Sequence, residues 1–343
     1  MGAKGRTAIK KRNYGLDYLR IFAMLATVWV HISIYVGIPI DLKHYFGWGA
    51  YGVQIFFVLS GYLAIKTYNG NMIDYYKKRA LRILPSYYIG IILMIFIRKL
   101  FGGVTNDIFG LKWIRYFLGL NTILPSNGYG IWNNLYGYWT MSCFIWFYIM
   151  VPLIAKIVKN FKKAIIFYFV CFGIFIVWKI GMTMAFSLLT EIDRLDDCIG
   201  AAPFSMLYYF ALGIIAYYAV QERKHNIAIG FFLMVAVLGL IINRNAWVWG
   251  ALTGMAILIF DCIELKSKNE LWNRIISAIS NYSLYIYLVH LMSFDISRHV
   301  VNSINNISIY IQYILWGVIS IFCIGIIVFI MNMTDKIVQR AIG

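Results

Sequence analysis

The sequence predicts an all-α fold: a polytopic integral membrane protein of about ten transmembrane helices, with both termini in the cytoplasm. Three observations carry that prediction. The 343-residue chain is 62% hydrophobic and 13% charged, whereas soluble proteins are nearer half apolar and a quarter charged, and its mean hydropathy is +0.73. Ten apolar runs approach the ~20 residues that a spanning helix needs. The 31 Lys and Arg crowd into every second loop, the bias that orients membrane proteins. This composition excludes an ordinary soluble enzyme, a disordered chain and a secreted disulfide scaffold. No long polar stretch exists to house another domain, so residues 1–343 are expected to form a single membrane domain.

Residues 1–14 read as a basic cytoplasmic tail. The first apolar run, 15–38, follows Lys10, Lys11 and Arg12. It is too long for a signal-peptide core and lacks a small-x-small cleavage site, so it is expected to be a retained helix. The second run is 48–66, and the third is 84–101, with Pro85 placed in its first turn. Residues 102–136 are polar and rich in Gly and Asn, with one weak amphipathic stretch near Trp113–Leu120. They are expected to form a large outer loop that lies on the membrane or dips into it. The remaining runs are 137–158, 164–180, 201–220, 226–242, 246–263, 275–294 and 307–332, of which the fifth and seventh of the ten are short. No repeat of fixed period is found.

Sorting the basic residues by side places 21 of the 31 with the N-terminal tail, 9 opposite, and Arg20 inside the first run. Both termini are therefore expected in the cytoplasm, and Glu191, Asp193, Asp196 and Asp197 outside. The net charge of +17 then reflects orientation, with attraction to anionic lipid secondary, and implies no nucleic-acid partner. The 5 cysteines form no CxxC or metal-ligand spacing, and no metal is expected.

Ionisable residues inside a span are costly and mark function by default. Arg20 and His31 are 11 residues apart in the first run. At about 100° and 1.5 Å per residue that is nearly three whole turns, roughly 16 Å along one face. The alternative is that Arg20 snorkels to the interface and His31 satisfies a neighbouring helix. Arg at one depth and His at another describe a path for an anionic ligand that ends at a base, and His exchanges protons near neutral pH. His290 closes the segment Ser283-Leu-Tyr-Ile-Tyr-Leu-Val-His290, where a structural role at a helix end is the competing reading. Before the third run stands Tyr75-Tyr-Lys-Lys-Arg79-Ala-Leu-Arg82-Ile-Leu-Pro85. Arg79 and Arg82 share a helix face and form either a positive-inside anchor or a clamp for phosphates, whose oxygens arginine forks match.

These residues together resemble the membrane acyltransferase 3 family, whose O-acyltransferases modify bacterial surface polysaccharides, glycolipids and peptidoglycan. The resemblance covers almost the whole chain. Its Arg-x10-His signature is present as Arg20 and His31, its Phe-Phe-x-x-Ser-Gly motif as Phe56-Phe57-Val-Leu-Ser60-Gly61, and its Arg-x-x-Arg-Ile-x-Pro motif as Arg79 to Pro85. Trp139, Phe147-Tyr148 and Pro152-Leu153 follow in order, and the late Tyr-x-Tyr-Leu-x-His element ends at His290. The chain departs at one point: many members carry a Glu shortly after the Trp, but here the stretch is Trp139-Thr-Met-Ser142-Cys143-Phe144-Ile145. No appended hydrolase-like domain is expected from this sequence.

The resemblance implies a membrane O-acyltransferase of the bacterial cytoplasmic membrane. Acyl-coenzyme A from the cytoplasm would be the donor, with acetyl the default group and succinyl open. Arg79, Arg82, Lys77 and Lys78 would take its phosphates, with Ser60 and Gly61 beside its path. His31, with Arg20, would be catalytic, and His31 would act as general base on a hydroxyl of a lipid-linked or cell-surface glycan. Trp139, Tyr148 and His290 are assigned to substrate binding. Direct transfer and an acyl-histidine intermediate stay open. The outer loops 102–136 and 181–200, with Trp113, Tyr129 and Trp132, would help choose the acceptor. The rival readings are a transporter or exporter of a small solute or glycan on the same fold, and a membrane sensor without catalysis.

Overall fold

The computed structural model describes residues 12–35, 47–100, 114–120, 122, 137–187, 199–263, 265–304 and 308–342. Among the described residues there are ten long helices: α1 Tyr14–Tyr35, α2 Gly52–Thr67, α3 Met72–Leu100, α4 Trp139–Ile157, α5 Phe161–Ser187, α6 Pro203–Gln221, α7 His225–Ile241, α8 Asn245–Cys262, α9 Glu270–Asn302 and α10 Ile309–Ile342. Among the described residues no strand occurs. Nine of the ten helices are long and apolar enough to cross a bilayer, and α7 is apolar but has 17 residues. Helices are the expected solution, because a bilayer core offers no water to satisfy backbone groups. The protein is a polytopic membrane protein, as the sequence predicts.

Four helices differ clearly from the sequence reading, one of them α10, which continues to Ile342 rather than ending at 332. α3 begins at Met72, so the arginine motif and the third span are one 29-residue helix with Pro85 inside it rather than in a first turn. α5 is a full 27 residues, not a short run. α9 extends from 270 to 302, which places His290 in a helix interior and not at its end. In each case polar or mixed turns continue a helix beyond its apolar stretch. A hydropathy window sees only that stretch.

Helix ends are locally encoded. Asn269 accepts from the backbone N–H groups of Leu271 (2.9 Å) and Trp272 (3.2 Å), an N-cap that satisfies two orphan donors of α9. Pro203 opens α6. The turn before α8 uses Asn243 at φ 54°, a left-handed conformation that Asn tolerates.

Two packed clusters result. One joins α2, α4, α5, α6, α7 and α8. Here Gly61 on α2 faces the Phe210 carbonyl and Gly213 on α6 faces the Val58 carbonyl so closely that a Cβ at either would overlap backbone. Phe147 and Phe210 stack beside this contact with centroids 3.9 Å apart. The other cluster joins α3, α9 and α10. α1 lies along α9 and α2, and a 3₁₀ turn, Gly47–Tyr51, leads into α2 with Gly49 and Gly52 against the α1 backbone.

Most of the segment read as a large outer loop lies outside the described residues. Its described part forms a helical turn, Ile114–Phe117, tied into the bundle. Tyr87 and Tyr88 of α3 donate to the carbonyls of Tyr116 (2.7 Å) and Phe117 (3.0 Å), and Ser142 of α4 donates to Gly119. The loop residues Trp113, Tyr129 and Trp132, the four acidic residues at 191–197 and the tail 1–11 lie outside the described residues.

Candidate active site

α1 and α9 run side by side and are linked at two levels. At the lower level Asp17 is the centre. It receives Ser280 Oγ at 2.6 Å, Arg12 Nε at 2.5 Å and Arg20 Nη1 at 3.4 Å, and Arg20 also donates to Ser280 Oγ at 2.8 Å. Asp17 is buried. A carboxylate in such a place needs paired charges and hydrogen bonds to offset its desolvation, and this network supplies both.

At the upper level two histidines meet. His290 Nε2 lies 3.2 Å from His31 Nδ1, with ring centroids 5.0 Å apart. His31 Nδ1 also lies 2.7 Å from the Thr27 carbonyl, and His290 Nδ1 lies 2.6 Å from the Tyr287 carbonyl. A carbonyl oxygen can only accept, so each Nδ1 carries the proton. His290 Nε2 then accepts from His31, and the lone pair of the neutral His31 ring is on Nε2. Its tautomer and orientation are thus set by two acceptors.

A cavity of about 610 Å³ opens among α1, α2, α3, α4, α9 and α10. One part is strongly polar: Arg20, Lys78, Arg79 and Arg82 line it with Thr67, Asn69 and Asp74. Arg79 is held ready. Its guanidinium lies 4.9 Å from the Tyr148 ring and 5.3 Å from the Tyr75 ring, and donates to Thr67 Oγ1 at 2.5 Å. Such cation–π contacts fix a planar cation while leaving its edge available. The other part is lined by Phe56, Thr140, Met141, Phe144 and Tyr287. Tyr287 joins the two regions. Its hydroxyl is 2.6 Å from Thr140 Oγ1, its ring centroid is 5.9 Å from that of His290, and its carbonyl holds His290.

The structure brings most of the residues singled out in the sequence together. Arg20, Ser60, Lys78, Arg79, Arg82 and Tyr148 line the cavity; His31 and His290 are not among its lining residues but pair with each other next to Tyr287, which is one of them. Lys77 does not join them: it is exposed and off the cavity-lining face of α3. Gly61 serves the α2–α6 contact. Trp139 packs edge-on to Phe57, with centroids 6.4 Å apart, and does not line the cavity. The sequence reading missed Asp17, Ser280, Thr140, Tyr287, Tyr75 and Gln339. Asp17 had a signal, since it stands three residues before Arg20 and so on the same helix face.

The acyltransferase-domain family model matches residues 13–331. The chain belongs to the acyltransferase 3 family. Two curated relatives agree with that. Nodulation protein 10 of Rhizobium leguminosarum bv. viciae is 26% identical over 48% of this chain and 50% of its own length. The protein named "Putative acetyltransferase ORF330" of Acidianus two-tailed virus is 22% identical over 82% of this chain and 84% of its own. The chain thus spans about half of the former and most of the latter. No solved structure matches. In this member of the family no acidic residue stands at 140–145, after Trp139. There Thr140 instead hydrogen-bonds Tyr287, and Ser142 donates to the Gly119 carbonyl.

Proposed function

We propose that the protein transfers an acyl group, acetyl by default, from cytoplasmic acyl-coenzyme A to a hydroxyl of a cell-surface or lipid-linked glycan. The observation that carries this is the cavity lined by Arg20, Lys78, Arg79 and Arg82, with the histidine pair next to Tyr287 of its wall. Arginine forks match the phosphates of a nucleotide-bearing donor. The arginine end of α3 lies on the side where Lys and Arg are dense, which is the cytoplasmic side by the positive-inside rule. The membrane is the bacterial cytoplasmic membrane in this reading. The pantetheine arm would lie among Ser60, Thr140 and Tyr287 with its thioester toward His31.

The chemistry follows from the lone pair on His31 Nε2. His31 removes the proton of the acceptor hydroxyl as its oxygen forms a bond to the thioester carbonyl carbon. The carbon–sulfur bond then breaks, and the departing coenzyme A thiolate takes the proton back from His31. His290 Nε2 and the Thr27 carbonyl accept from His31 Nδ1–H throughout and stabilise the imidazolium. Transfer through an acyl-histidine uses the same nitrogen.

Acetyl-coenzyme A binding to the purified protein in detergent tests the donor assignment. Wild type should bind, and Arg82→Ala should weaken binding by about tenfold or more, the scale of a charge-assisted phosphate contact. A folded wild type that binds neither acetyl- nor succinyl-coenzyme A would remove the donor assignment.

A further inference from the structure

The cavity wall includes part of the chain that the family model does not reach. The match ends at residue 331, while α10 continues to Ile342. In that extension lies Asp335, only 2% exposed. Its Oδ2 accepts from Ser86 Oγ of α3 at 2.6 Å and from Tyr285 Oη of α9 at 2.7 Å. Its Oδ1 is buried and, among the described residues, meets no hydrogen-bond donor. One carboxyl therefore ties three helices together. Each of those helices presents a cavity-lining residue at or one turn from the tie: Tyr285 itself, Arg82 four residues before Ser86, and Gln339 four residues after Asp335. Residues four apart stack on one helix face.

Stability alone does not account for this carboxyl. A buried polar atom without a partner costs free energy, and apolar side chains of similar volume often hold buried helices as well or better. What the carboxyl supplies is direction. Tyr285 donates its only O–H to Asp335, which fixes where the ring stands in the wall beside Ser283 and Leu284. The same tie sets the rotation of the last turns of α10, and so where Gln339 meets the cavity.

We propose that Asp335 is a positioning residue for the donor site. Through Tyr285 and the α10 turn bearing Gln339 it holds the wall that adjoins Arg82, and so sets the affinity for acyl-coenzyme A. This rests on the reading of the cavity as the donor site.

The test uses the full-length protein in detergent. Asp335→Asn and Tyr285→Phe should each weaken acetyl-coenzyme A binding roughly fivefold to tenfold. The double variant should be no weaker than either single one, because both break the same tie. Wild-type affinity in Asp335→Asn, or two losses that multiply, would overturn the proposal. If Asp335→Asn does not fold, Tyr285→Phe decides, and unchanged affinity there overturns it. A second measurement needs no donor. With Gln339→Cys, labelling by N-ethylmaleimide is compared against protein that keeps Gln339. Adding Asp335→Asn should change the labelling rate severalfold, and an unchanged rate overturns the tie. A wild type that binds no acetyl-coenzyme A would count against the donor reading alone, and the labelling rate would still decide the role of Asp335.

Discussion

The α2–α6 contact and the α1–α9 seam hold helices together by opposite means. At α2–α6 the backbones nearly touch, Gly61 against Phe210 and Gly213 against Val58, with Phe147 stacked on Phe210 and Phe57 tilted against it. In a bilayer apolar side chains gain little by leaving lipid for one another, so close van der Waals approach is what joins helices. At α1–α9 charge and hydrogen bonds do the joining: Asp17 with Arg12, Arg20 and Ser280, and His31 with His290. Such groups are expensive in a membrane interior. The difference separates scaffold from machinery. The first region reaches its packing at low cost, and the second retains costly groups where the chemistry is proposed.

Substitutions can sharpen or break that contrast. The largest effect is expected at the scaffold. Gly213→Leu forces a side chain into the Val58 carbonyl and should destabilise by about 3 kcal/mol or more, read as loss of monodisperse protein on size exclusion. Normal yield and thermal stability would show that the close approach is not structural. Next comes Asp17→Ala on the seam. It leaves Arg20 and Arg12 without their carboxylate. Partial exposure of both arginines, 18% and 38%, reduces the cost of a broken buried pair to about 2 kcal/mol. Thermal unfolding in detergent measures it, and an unchanged midpoint would mean that the seam carries no structural load. The smallest effect is expected outside both regions. Glu222, between α6 and α7, accepts from Lys224 at 2.6 Å and from the Phe161 backbone N–H at 2.7 Å, and those contacts hold its carboxyl below the ordinary carboxylate range. Its contribution is therefore present above the ordinary carboxylate pKa and lost as pH falls through the lowered one. Glu222→Gln should cost at most about 0.5 kcal/mol at pH 7, and a larger loss would place a structural role where the comparison has none.

Much of this was legible in the sequence. Ten apolar runs became ten helices, and the eleven-residue spacing of Arg20 and His31 put both side chains toward α9. Arg79 and Arg82 do share the cavity face of one helix. What escaped was of two kinds. Helix continuity across Pro85 was hidden because a proline normally interrupts the i→i−4 ladder, and the charged turns before it resemble a loop to a hydropathy window. The pairing of His31 with His290, 259 residues apart, was hidden for a different reason. Periodicity says which face of a helix is apolar but not which helix lies against it, so the partner of His31 had no local signal. The same holds for Asp335, whose partners lie 249 and 50 residues away.

The central claim is that donor binding and acyl transfer are divided between the cavity arginines and the histidine pair. The most direct test is His31→Ala, with acetyl-coenzyme A affinity and acetyl transfer to the host's surface glycan measured on the same preparation. Affinity should stay within about twofold of wild type and transfer should fall at least ~100-fold, the contribution of a positioned general base. Transfer at the wild-type rate, or loss of donor binding along with transfer, would contradict it.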